Sequence, residues 1–445
     1  LKKGLNIHLN GDADKVYASI PQTENFVVRL TDFHALVPKL VVKEGDYVNA
    51  GSVLFYDKYN ERVKFTSPVS GEVLNINRGA KRRILEVVLK ADGELNYESF
   101  DVGSADDLNR EQIIETLLNS GVWPFIRQKP FDVIANPSDK PKAIFISSFD
   151  TAPLSPDNDF VLHGLDELFQ KGIDVVKKLT DGKVHLNVDG NTNPSKVFTD
   201  CKGVEINKIS GPHPAGNVGV QIHHIDPINK GDIVWYLYPQ DILTIARLFI
   251  DGRYDVSRIV ALTGSNVEKP RYYRTISGAS ISNMISENSV INGNNRYISG
   301  NVLTGTKISS DGYIGFYDSQ ITVIPEGDKQ EFLGWIAPGL QKFSMSKSYF
   351  SWLKPTKKYN LNTNYNGEER AYVVTGQYEK VLPMDIYPAH LIKSIMVEDI
   401  ELMEQLGIYE VAPEDFALCE FVCTSKINVQ QIIRDGLDLL KKENS

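Results

Sequence analysis

The chain has 445 residues, which suggests about three domains, and its composition is that of an ordinary soluble globular protein. Its formal net charge of -9 argues against a nucleic-acid partner bound through phosphate contacts. Three cysteines are too few for a disulfide framework and favour a reducing compartment, and the longest apolar run, Ile233 to Tyr238, is far too short to span a membrane. We therefore expect a soluble chain without a signal peptide, which reaches a membrane only through partners.

Residues 1–103 are predicted to form a β domain, because short β-branched and aromatic runs alternate with turn signals. Within residues 43–73, the patterns Lys-x-Gly-Asp-x-Val, Gly-x-x-Leu and Ser-Pro-x-x-Gly-x-Val follow one another. This order resembles the barrel-sandwich of biotinyl and lipoyl carrier domains, whose modified lysine lies at a hairpin tip, about where this chain has Lys58. The bulky neighbours Tyr56 and Tyr59 argue against a carrier, so we expect the fold without the attached group.

A basic cluster surrounds Gly79 and consists of Arg78, Lys81, Arg82 and Arg83. Such a cluster is usually a solvated hairpin. It could instead face an acidic partner or lipid headgroups.

Residues 104–256 alternate between strand and helix patterns and are predicted to form a doubly wound, Rossmann-like α/β domain. The segment lacks the glycine-rich turn that would seat a nucleotide's phosphates on a helix N-terminus. The predicted elements are a helix capped by Ser104 or Asn109 and ended by Gly121, strand Ala143–Phe149 in a sheet covered on both faces, a helix at 161–176, strands Lys183–Val188 and Ile233–Tyr238, and a helix at 242–249.

The run Ile209–Pro227 holds three of the eight histidines beside three glycines and three prolines. These glycines and prolines predict a loop with a single, rigid conformation, and such loops tend to carry function. One interpretation is a rigid loop whose histidines bond to backbone. The other is a metal site at His213, His223 and His224. An argument against this site is that adjacent histidines on a strand would point to opposite faces.

The remaining residues divide into three predicted regions. Residues 257–328 return to short strands and suggest a small mixed β unit, 329–386 form an irregular connecting region, and 387–445 form a helical domain. Cys419 and Cys423 are four residues apart and would share one face of a helix. With Cys201 as the third cysteine, neither a zinc site nor a four-iron cluster can be completed within the chain, so buried free cysteines are expected.

Several long, irregular motifs are spread from end to end of the chain. They are Lys64–Gly71, Asn77–Arg82, Arg127–Phe131, Gly211–Gly216, Ile222–His224, Tyr378–Asp385 and Leu418–Cys423. Through them, nearly the whole chain resembles the NqrA family, one of the subunits of the sodium-translocating NADH:quinone reductase. The unit at 260–325 is also similar to the β-grasp module of the RnfC subunit of the Rnf complex and of the flavin-bearing subunit of respiratory complex I.

The resemblance implies a peripheral subunit on the cytoplasmic side of a bacterial inner membrane, in a complex that passes electrons from NADH to quinone and exports sodium. It implies that FAD, FMN, riboflavin and the iron–sulfur centres lie on other subunits. We therefore expect no cofactor, metal or catalytic residue in this chain, which alone is not an enzyme. Its implied partners are quinone, the membrane subunit NqrB, with which it would form the quinone site, and the other subunits of the complex.

A quinone headgroup presents two carbonyl acceptors on a flat apolar ring. A site for it needs hydrogen-bond donors among aromatic side chains, shielded from water. Two stretches have that mixture, Thr31–Leu36 and Arg127–Phe131, and the resemblance points to both. We predict His34 or Arg127 as the donor, with phenylalanines beside the ring. The predicted quinone-binding residues are Phe33, His34, Leu36, Arg127, Lys129 and Phe131.

Two other functions remain open. The chain could be a structural adaptor without a ligand site, which docks other subunits through its basic cluster and its C-terminal helices. It could also be a lipoyl-type carrier, which would add a mass increment on Lys58. If the two stretches bind no quinone, Thr31–Leu36 is simply a hairpin tip and Arg127–Phe131 a domain linker.

Overall fold

The computed structural model of the chain describes residues 1–443 except 20, 22, 288, 289, 292, 329, 330, 332, 335–338 and 355. In these residues the strands form two six-stranded sheets, one four-stranded sheet and one three-stranded sheet. The predicted fold class is confirmed: a multidomain α/β chain with a barrel-sandwich, a Rossmann-like unit, a β-grasp module and a helical C-terminal region. The domain boundaries stay predictions.

The N-terminal unit is built from two small antiparallel sheets. Its strands, in chain order, are β1 (Asp14–Ala18), β2 (Asn25–Arg29), β3 (Pro38–Leu40), β4 (Tyr47–Val48), β5 (Val53–Asp57), β6 (Asn60–Thr66), β7 (Gly71–Arg78) and β8 (Ile84–Ala91). One sheet has the order β2-β8-β7-β4 and the other β3-β5-β6, while β1 joins a later sheet. Lys58 is exposed in the turn between β5 and β6, and the basic cluster is exposed between β7 and β8.

The α/β unit alternates strands and helices as the pattern predicted. Its elements are α1 (Arg110–Ser120), β9 (Arg127–Lys129), β10 (Val133–Ile134), β11 (Ala143–Ser147), α2 (Asn158–Val161), α3 (Asp166–Lys177), β12 (Lys183–Asp189), α4 (Lys196–Thr199), β13 (Glu205–Ile209), α5 (Val218–Ile225), β14 (Val234–Leu237) and α6 (Pro239–Asp251). Asn109 caps α1 by accepting a hydrogen bond from the backbone N–H of Gln112, and Gly121 ends the helix at φ 77°.

The order of strands in this sheet creates a crevice. The sheet runs β10-β9-β14-β11-β12-β13, in which β14, β11, β12 and β13 are parallel. The chain passes from β11 outward to β12 and β13, then returns to β14 on the other side of β11. The strand order therefore reverses between β11 and β14, and the carboxyl ends of these two strands are called the switch point below.

Both faces of this sheet are covered, as the apolar run after Lys142 predicted. Ile144 and Ile146 belong to a buried cluster shared with the barrel-sandwich and β-grasp units. Phe145 and Tyr236 belong to a second cluster, shared with the C-terminal helices. Alternate side chains of one strand thus enter different cores, and the sheet is the layer between them.

The predicted loop Ile209–Pro227 is wrong in its second half, because residues 218–225 form α5. Val218, Val220 and Ile222 are buried in the second cluster. Burial of that apolar face outweighs the low helix propensity of valine, isoleucine and glycine. His223 and His224 therefore lie on a helix, and the argument that placed them on a strand does not apply.

Three further predictions needed correction. The helix predicted at 161–176 is broken at Gly164, where φ is 76°, so that α2 and α3 are separate. The residues Arg127–Lys129 form a strand that pairs antiparallel with β14, so the linker alternative is wrong. Strand β13 was not predicted, because its sequence, Glu-Ile-Asn-Lys-Ile, is largely polar.

In its described residues, the β-grasp unit is a mixed sheet with one short helix. Its elements are β15 (Ser257–Thr263), β16 (Arg271–Ile276), α7 (Ser282–Glu287), β17 (Asn295–Ser299), β18 (Thr306–Ile308) and β19 (Gln320–Pro325). The sheet has the order β1-β16-β15-β19-β17-β18, and β15 and β19 at its centre are parallel. Strand β1 extends its edge, which ties the N-terminal segment to this unit.

The C-terminal region is helical, as predicted. Its helices are α8 (Tyr378–Val381), α9 (Pro388–Met396), α10 (Ile400–Gln405), α11 (Ala417–Val422) and α12 (Val429–Glu443). Helices α9 and α10 are separate, because Glu398 between them has φ 57° and Asp399 caps α10. In the predicted irregular region, Trp335 and Pro338 lie outside the described residues. Within the described part of the chain, every helix is too short or too polar to cross a bilayer.

Candidate functional site

A cavity of about 240 Å³ lies at the switch point, beyond the carboxyl ends of β11 and β14. Ligands of open α/β sheets bind in such crevices. Phe149 and Tyr238 border it from the strand ends, Arg127 from β9, Tyr317 from the β-grasp unit and Glu414 from the C-terminal region. Its volume is below the ~300–1,000 Å³ of sites for drug-sized ligands, so it suits a single ring rather than a dinucleotide.

Arg127 presents its guanidinium to this cavity between two aromatic rings. The guanidinium carbon lies 4.9 Å from the centre of the Tyr236 ring and 4.8 Å from that of Tyr317, within the range of cation–π attraction. Nη2 donates a hydrogen bond of 2.9 Å to Oδ1 of Asp132. Burial opposes the charged form, but the Asp132 carboxylate and the neighbouring tyrosines together outweigh it and raise the pKa of Arg127. The side chain is therefore a fixed cation.

The Asp132 carboxylate binds three hydrogen-bond donors, which come from three parts of the chain. Besides Arg127, the hydroxyl of Tyr236 donates to Oδ1, and Nη2 of Arg434 lies 3.3 Å from Oδ2. Burial works against the carboxylate, but Arg127, Lys129 and Arg434 hold the pKa of Asp132 well below its ordinary value. Arg434 also donates to the carbonyl oxygen of Phe131 at 2.7 Å. Helix α12 is thereby fastened to the turn after β9.

Lys129 is not among the residues that line the cavity and is completely buried. Its Nζ lies 3.5 Å from Oδ2 of Asp415, whose side chain is also 0% exposed. The same carboxylate accepts from the backbone N–H of Ala412 at 2.9 Å, which fixes the turn that carries Glu414. A Cβ on Gly219 would collide with this pair, so glycine leaves the space that the pair occupies.

Among the polar groups that line the cavity, Glu414 has a side-chain oxygen that lacks a hydrogen-bond partner in the described residues. This oxygen, Oε1, is buried. Burial raises the pKa of Glu414 to about 7, although the nearby Lys129 opposes the shift. Because a buried unpaired polar atom is costly, this oxygen is a natural position for a ligand's hydrogen bond.

A second ion pair closes the side of the cavity towards the β-grasp unit. Nη2 of Arg258 lies 2.6 Å from Oδ1 of Asp241, and both side chains are buried. Burial raises the pKa of Asp241 despite this partner. Asp318 accepts a hydrogen bond of 2.6 Å from Ser299, and burial raises its pKa too. These carboxyls are held by protein partners.

The structure brings the two predicted stretches close to each other, and of the six predicted residues the cavity lining includes Arg127. Phe33 is 3% exposed, and its ring packs against Phe65, Phe316 and Tyr317 with centroids 4.5, 4.8 and 6.0 Å away. Phe33 therefore supports Tyr317, which covers Arg127. Leu36 is half-buried against the same cluster.

His34 and Phe131 meet the C-terminal region rather than the cavity. Nε2 of His34 lies 2.6 Å from Oδ1 of Asp438 on α12, near the surface. The ring of Phe131 packs edge-on against Tyr409 at 6.2 Å. With the bonds from Arg434, helix α12 thus contacts both predicted stretches.

The three histidines of the Ile209–Pro227 run have protein partners and do not converge. Nδ1 of His213 lies 3.1 Å from the hydroxyl of Thr151. Nδ1 of His223 lies 2.7 Å from Glu410, and Nε2 of His224 lies 2.6 Å from the carbonyl oxygen of Pro383. Across the described residues, no group of three or more His, Cys, Asp or Glu side chains could hold a metal ion.

Cys419 and Cys423 are free and buried at α11 and its C-cap. The hydroxyl of Tyr378 donates to Sγ of Cys423 at 2.9 Å, and burial raises the pKa of Cys419. Burial of both residues and the raised pKa of Cys419 are features of unreactive, packed thiols. This agrees with the interpretation of the pair as structural cysteines.

Most of the residues that build the site were not predicted from the sequence: Asp132, Tyr236, Tyr238, Tyr317, Glu414, Asp415 and Arg434. One signal was present. A buried lysine or arginine needs a carboxylate partner, and Asp132 directly follows the predicted stretch. Glu414 and Asp415 follow Pro413 and look like ordinary acidic residues in the first turn of a helix, so nothing local distinguished them.

Comparison with known families and proteins gives consistent matches along the chain. The NqrA N-terminal barrel-sandwich hybrid domain matches residues 1–92, the NqrA second alpha/beta domain 108–254, and the NQRA C-terminal domain 259–310. Among curated relatives, the NqrA subunit of the Na(+)-translocating NADH-quinone reductase of Pasteurella multocida is 38% identical, covering 100% of this chain and 99% of the relative. The same protein of Photorhabdus laumondii is 35% identical with the same coverage.

Among solved structures, an NAD+-reducing nickel–iron hydrogenase in the air-oxidised state aligns with a TM-score of 0.40 at 11% identity. The alignment covers 76% of this chain and 62% of that chain. A similarity of this size supports no inference about the function of the chain.

Proposed function

This chain belongs to the NqrA family of the Na(+)-translocating NADH-quinone reductases, and on that premise we propose that it contributes a quinone site to such a reductase. The quinone headgroup occupies the switch-point cavity, with Arg127 as its hydrogen-bond donor. The protein is peripheral on the cytoplasmic side of a bacterial inner membrane, and the membrane subunit NqrB meets it at this site. NADH oxidation and sodium transport are carried by other subunits, which hold the flavins and iron–sulfur centres.

The observation that carries this proposal is the position of Arg127. Its guanidinium faces a small cavity bordered by Phe149, Tyr238 and Tyr317, which offers the flat apolar surfaces that a quinone ring needs. The hydrogen bond to Asp132 uses one of the five N–H groups that a guanidinium carries. Donors therefore remain for a quinone carbonyl, and the buried surroundings strengthen such a bond.

The proposal changes the role of the other predicted residues. Phe33 acts behind Tyr317 and keeps its ring in place, because the Phe33 ring is itself covered by the core. Lys129 and Phe131 hold the turn that positions Arg127, through Asp415 and Arg434. His34 belongs to the contact between the barrel-sandwich unit and α12. Leu36 packs against the core that holds Phe33.

Replacing Arg127 with lysine is expected to weaken quinone binding about fivefold to a hundredfold, the equivalent of about 1–3 kcal/mol for a lost buried hydrogen bond. Lysine keeps a cation beside Asp132 but loses the planar fork that can serve a carboxylate and a quinone together. The dissociation constant of 2,3-dimethoxy-5-methyl-1,4-benzoquinone, measured on the full chain and on the whole complex, checks the expectation. Oxidation of NADH by an artificial acceptor should be unchanged.

The matched control is Arg274→Lys, because Arg274 also stacks on a tyrosine, 4.9 Å from the centre of the Tyr17 ring, away from the cavity. That variant should bind quinone like the wild type. Equal quinone affinity in the Arg127→Lys protein would remove Arg127 from the site.

A second candidate function, a structural adaptor without a ligand site, is favoured by a different surface. Tyr387 and Val397, at the two ends of α9, are 68% and 72% exposed. A groove of about 630 Å³ runs past Met396, Val397 and Leu402. Exposed apolar surface of this kind marks protein contacts. Quinone titration separates the two functions, since an adaptor binds none in the isolated chain and adds none to the complex.

A further inference from the structure

The cavity holds a second polar group, the Glu414 carboxyl, which the quinone site described above does not use. Resting on the proposed function, we propose that Glu414 exchanges a proton with the bound headgroup. In its protonated form it donates a hydrogen bond to a carbonyl of the quinone. In its ionised form it accepts one from a hydroxyl of the quinol. Arg127 binds the headgroup in both states.

The geometry around Glu414 supports this role. Residues 413–416 form a short helical turn, and Nδ2 of Asn217 donates to the backbone carbonyl of Glu414 at 3.1 Å. The neighbouring Asp415 is occupied by Lys129 and by the backbone N–H of Ala412. The turn is thus held by its backbone and by Asp415, which leaves the Glu414 carboxyl free to serve an occupant of the cavity.

The unpaired oxygen identifies what the occupant must offer. Oε1 of Glu414 is buried without a hydrogen-bond partner in the described residues, whereas Asp241 and Asp318 on the same cavity are bonded to Arg258 and Ser299. A ligand that can both accept and donate one hydrogen bond relieves this oxygen in either protonation state. A quinone and its quinol form such a pair.

The charges that face Glu414 come from every side of the cavity. Burial raises its pKa to about 7, Lys129 and Arg127 oppose this shift, and Asp415 and Asp132 reinforce it. The headgroup would therefore meet a carboxyl that changes its charge near neutral pH. Other titratable groups around the cavity or in electrostatic contact with Glu414 are Asp150, His213, Tyr236, Tyr238, Asp241, Arg258, Tyr317 and Asp318.

Reduction of the quinone at this site needs two electrons, and both come from outside the chain. Reduced flavins or iron–sulfur centres elsewhere in the complex supply the quinone with two electrons in total. The O–H bond of the Glu414 carboxyl breaks, a new O–H bond forms on one quinone oxygen, and the second oxygen takes its proton from solvent. The products are the quinol and the Glu414 carboxylate, which regains a proton from solvent after the quinol leaves.

The test compares wild type, Glu414→Gln and a control, Glu401→Gln, in which an exposed acid on α10 is changed. The dissociation constant of 2,3-dimethoxy-5-methyl-1,4-benzoquinone is measured at pH 6 and pH 8 on the full chain and on the complex. With a pKa of about 7, the protonated form that favours quinone falls about tenfold over this range, so wild type and control should bind about tenfold more weakly at pH 8. Glu414→Gln should bind equally at both values, because an amide donates at every pH.

A second readout does not depend on the folding of a variant. Calorimetry of the wild type at pH 8, in two buffers of different ionisation enthalpy, should show uptake of nearly one proton per quinone bound. Absence of uptake, or a pH dependence that survives in Glu414→Gln, would overturn the role of Glu414 and leave the quinone site standing. Absence of quinone binding to both wild-type chain and complex would overturn the proposed function itself.

Discussion

Replacing Asp132 with alanine is expected to lower the free energy of unfolding by about 3–5 kcal/mol, because it leaves buried cations without their carboxylate. Arg127 and Arg434 both bind this side chain, and the hydroxyl of Tyr236 donates to it. The single change therefore unpairs groups from β9, β14 and α12. Chemical denaturation of the purified chain measures the loss.

The pH dependence of the same difference follows from the lowered pKa of Asp132. A carboxyl whose pKa falls on folding stabilises the folded state above its unfolded pKa of about 4, and this contribution is lost as pH drops towards the folded pKa. The free energies of unfolding of wild type and Asp132→Ala should therefore converge in strong acid.

The control is Asp12→Ala, which breaks a surface pair with Lys358 and should cost about 0–1 kcal/mol of stability. A similarly small cost at Asp132 would contradict its role as the shared partner of the two arginines.

Replacing Asp415 with asparagine is expected to be comparably destabilising, by about 3–5 kcal/mol, since the buried cation of Lys129 then loses the carboxylate that lies 3.5 Å from it. Asparagine keeps a polar side chain of nearly the same shape, so the loss reports the charge more than the packing. The double variant with Lys129→Met removes the stranded cation and should regain most of the stability. Denaturation of the three proteins gives the coupling between the two positions. A double variant no more stable than Asp415→Asn would show that the pair is not the cause.

The parts of the fold that sequence predicted well are those with a local signal. Helix α1 follows from its Asn109 cap and Gly121 end. Strand β11 follows from an apolar run that only a doubly covered sheet can bury. Helix α5 could not be predicted in this way, because its residues become helical through the core that they enter.

The candidate site was predictable only in part, for the same reason. Arg127 was found because cations and aromatic residues alternate near it, and because the family resemblance pointed there. Tyr317 and Glu414 come from segments almost two hundred and almost three hundred residues further along the chain, and only the packing of three units brings them to one cavity. Phe33 and His34 carried a similar local pattern, yet one lies in the core and the other pairs with α12.

The central claim, a quinone site in the switch-point cavity, is tested most directly by photolabelling the assembled reductase with an azido derivative of the 2,3-dimethoxy-5-methyl-1,4-benzoquinone headgroup and locating the label by mass spectrometry. The structure predicts label on the peptides that carry Tyr238, Tyr317 or Glu414, and its suppression by excess unlabelled quinone. Label confined to other subunits, or to the stretch around His34, would contradict the claim.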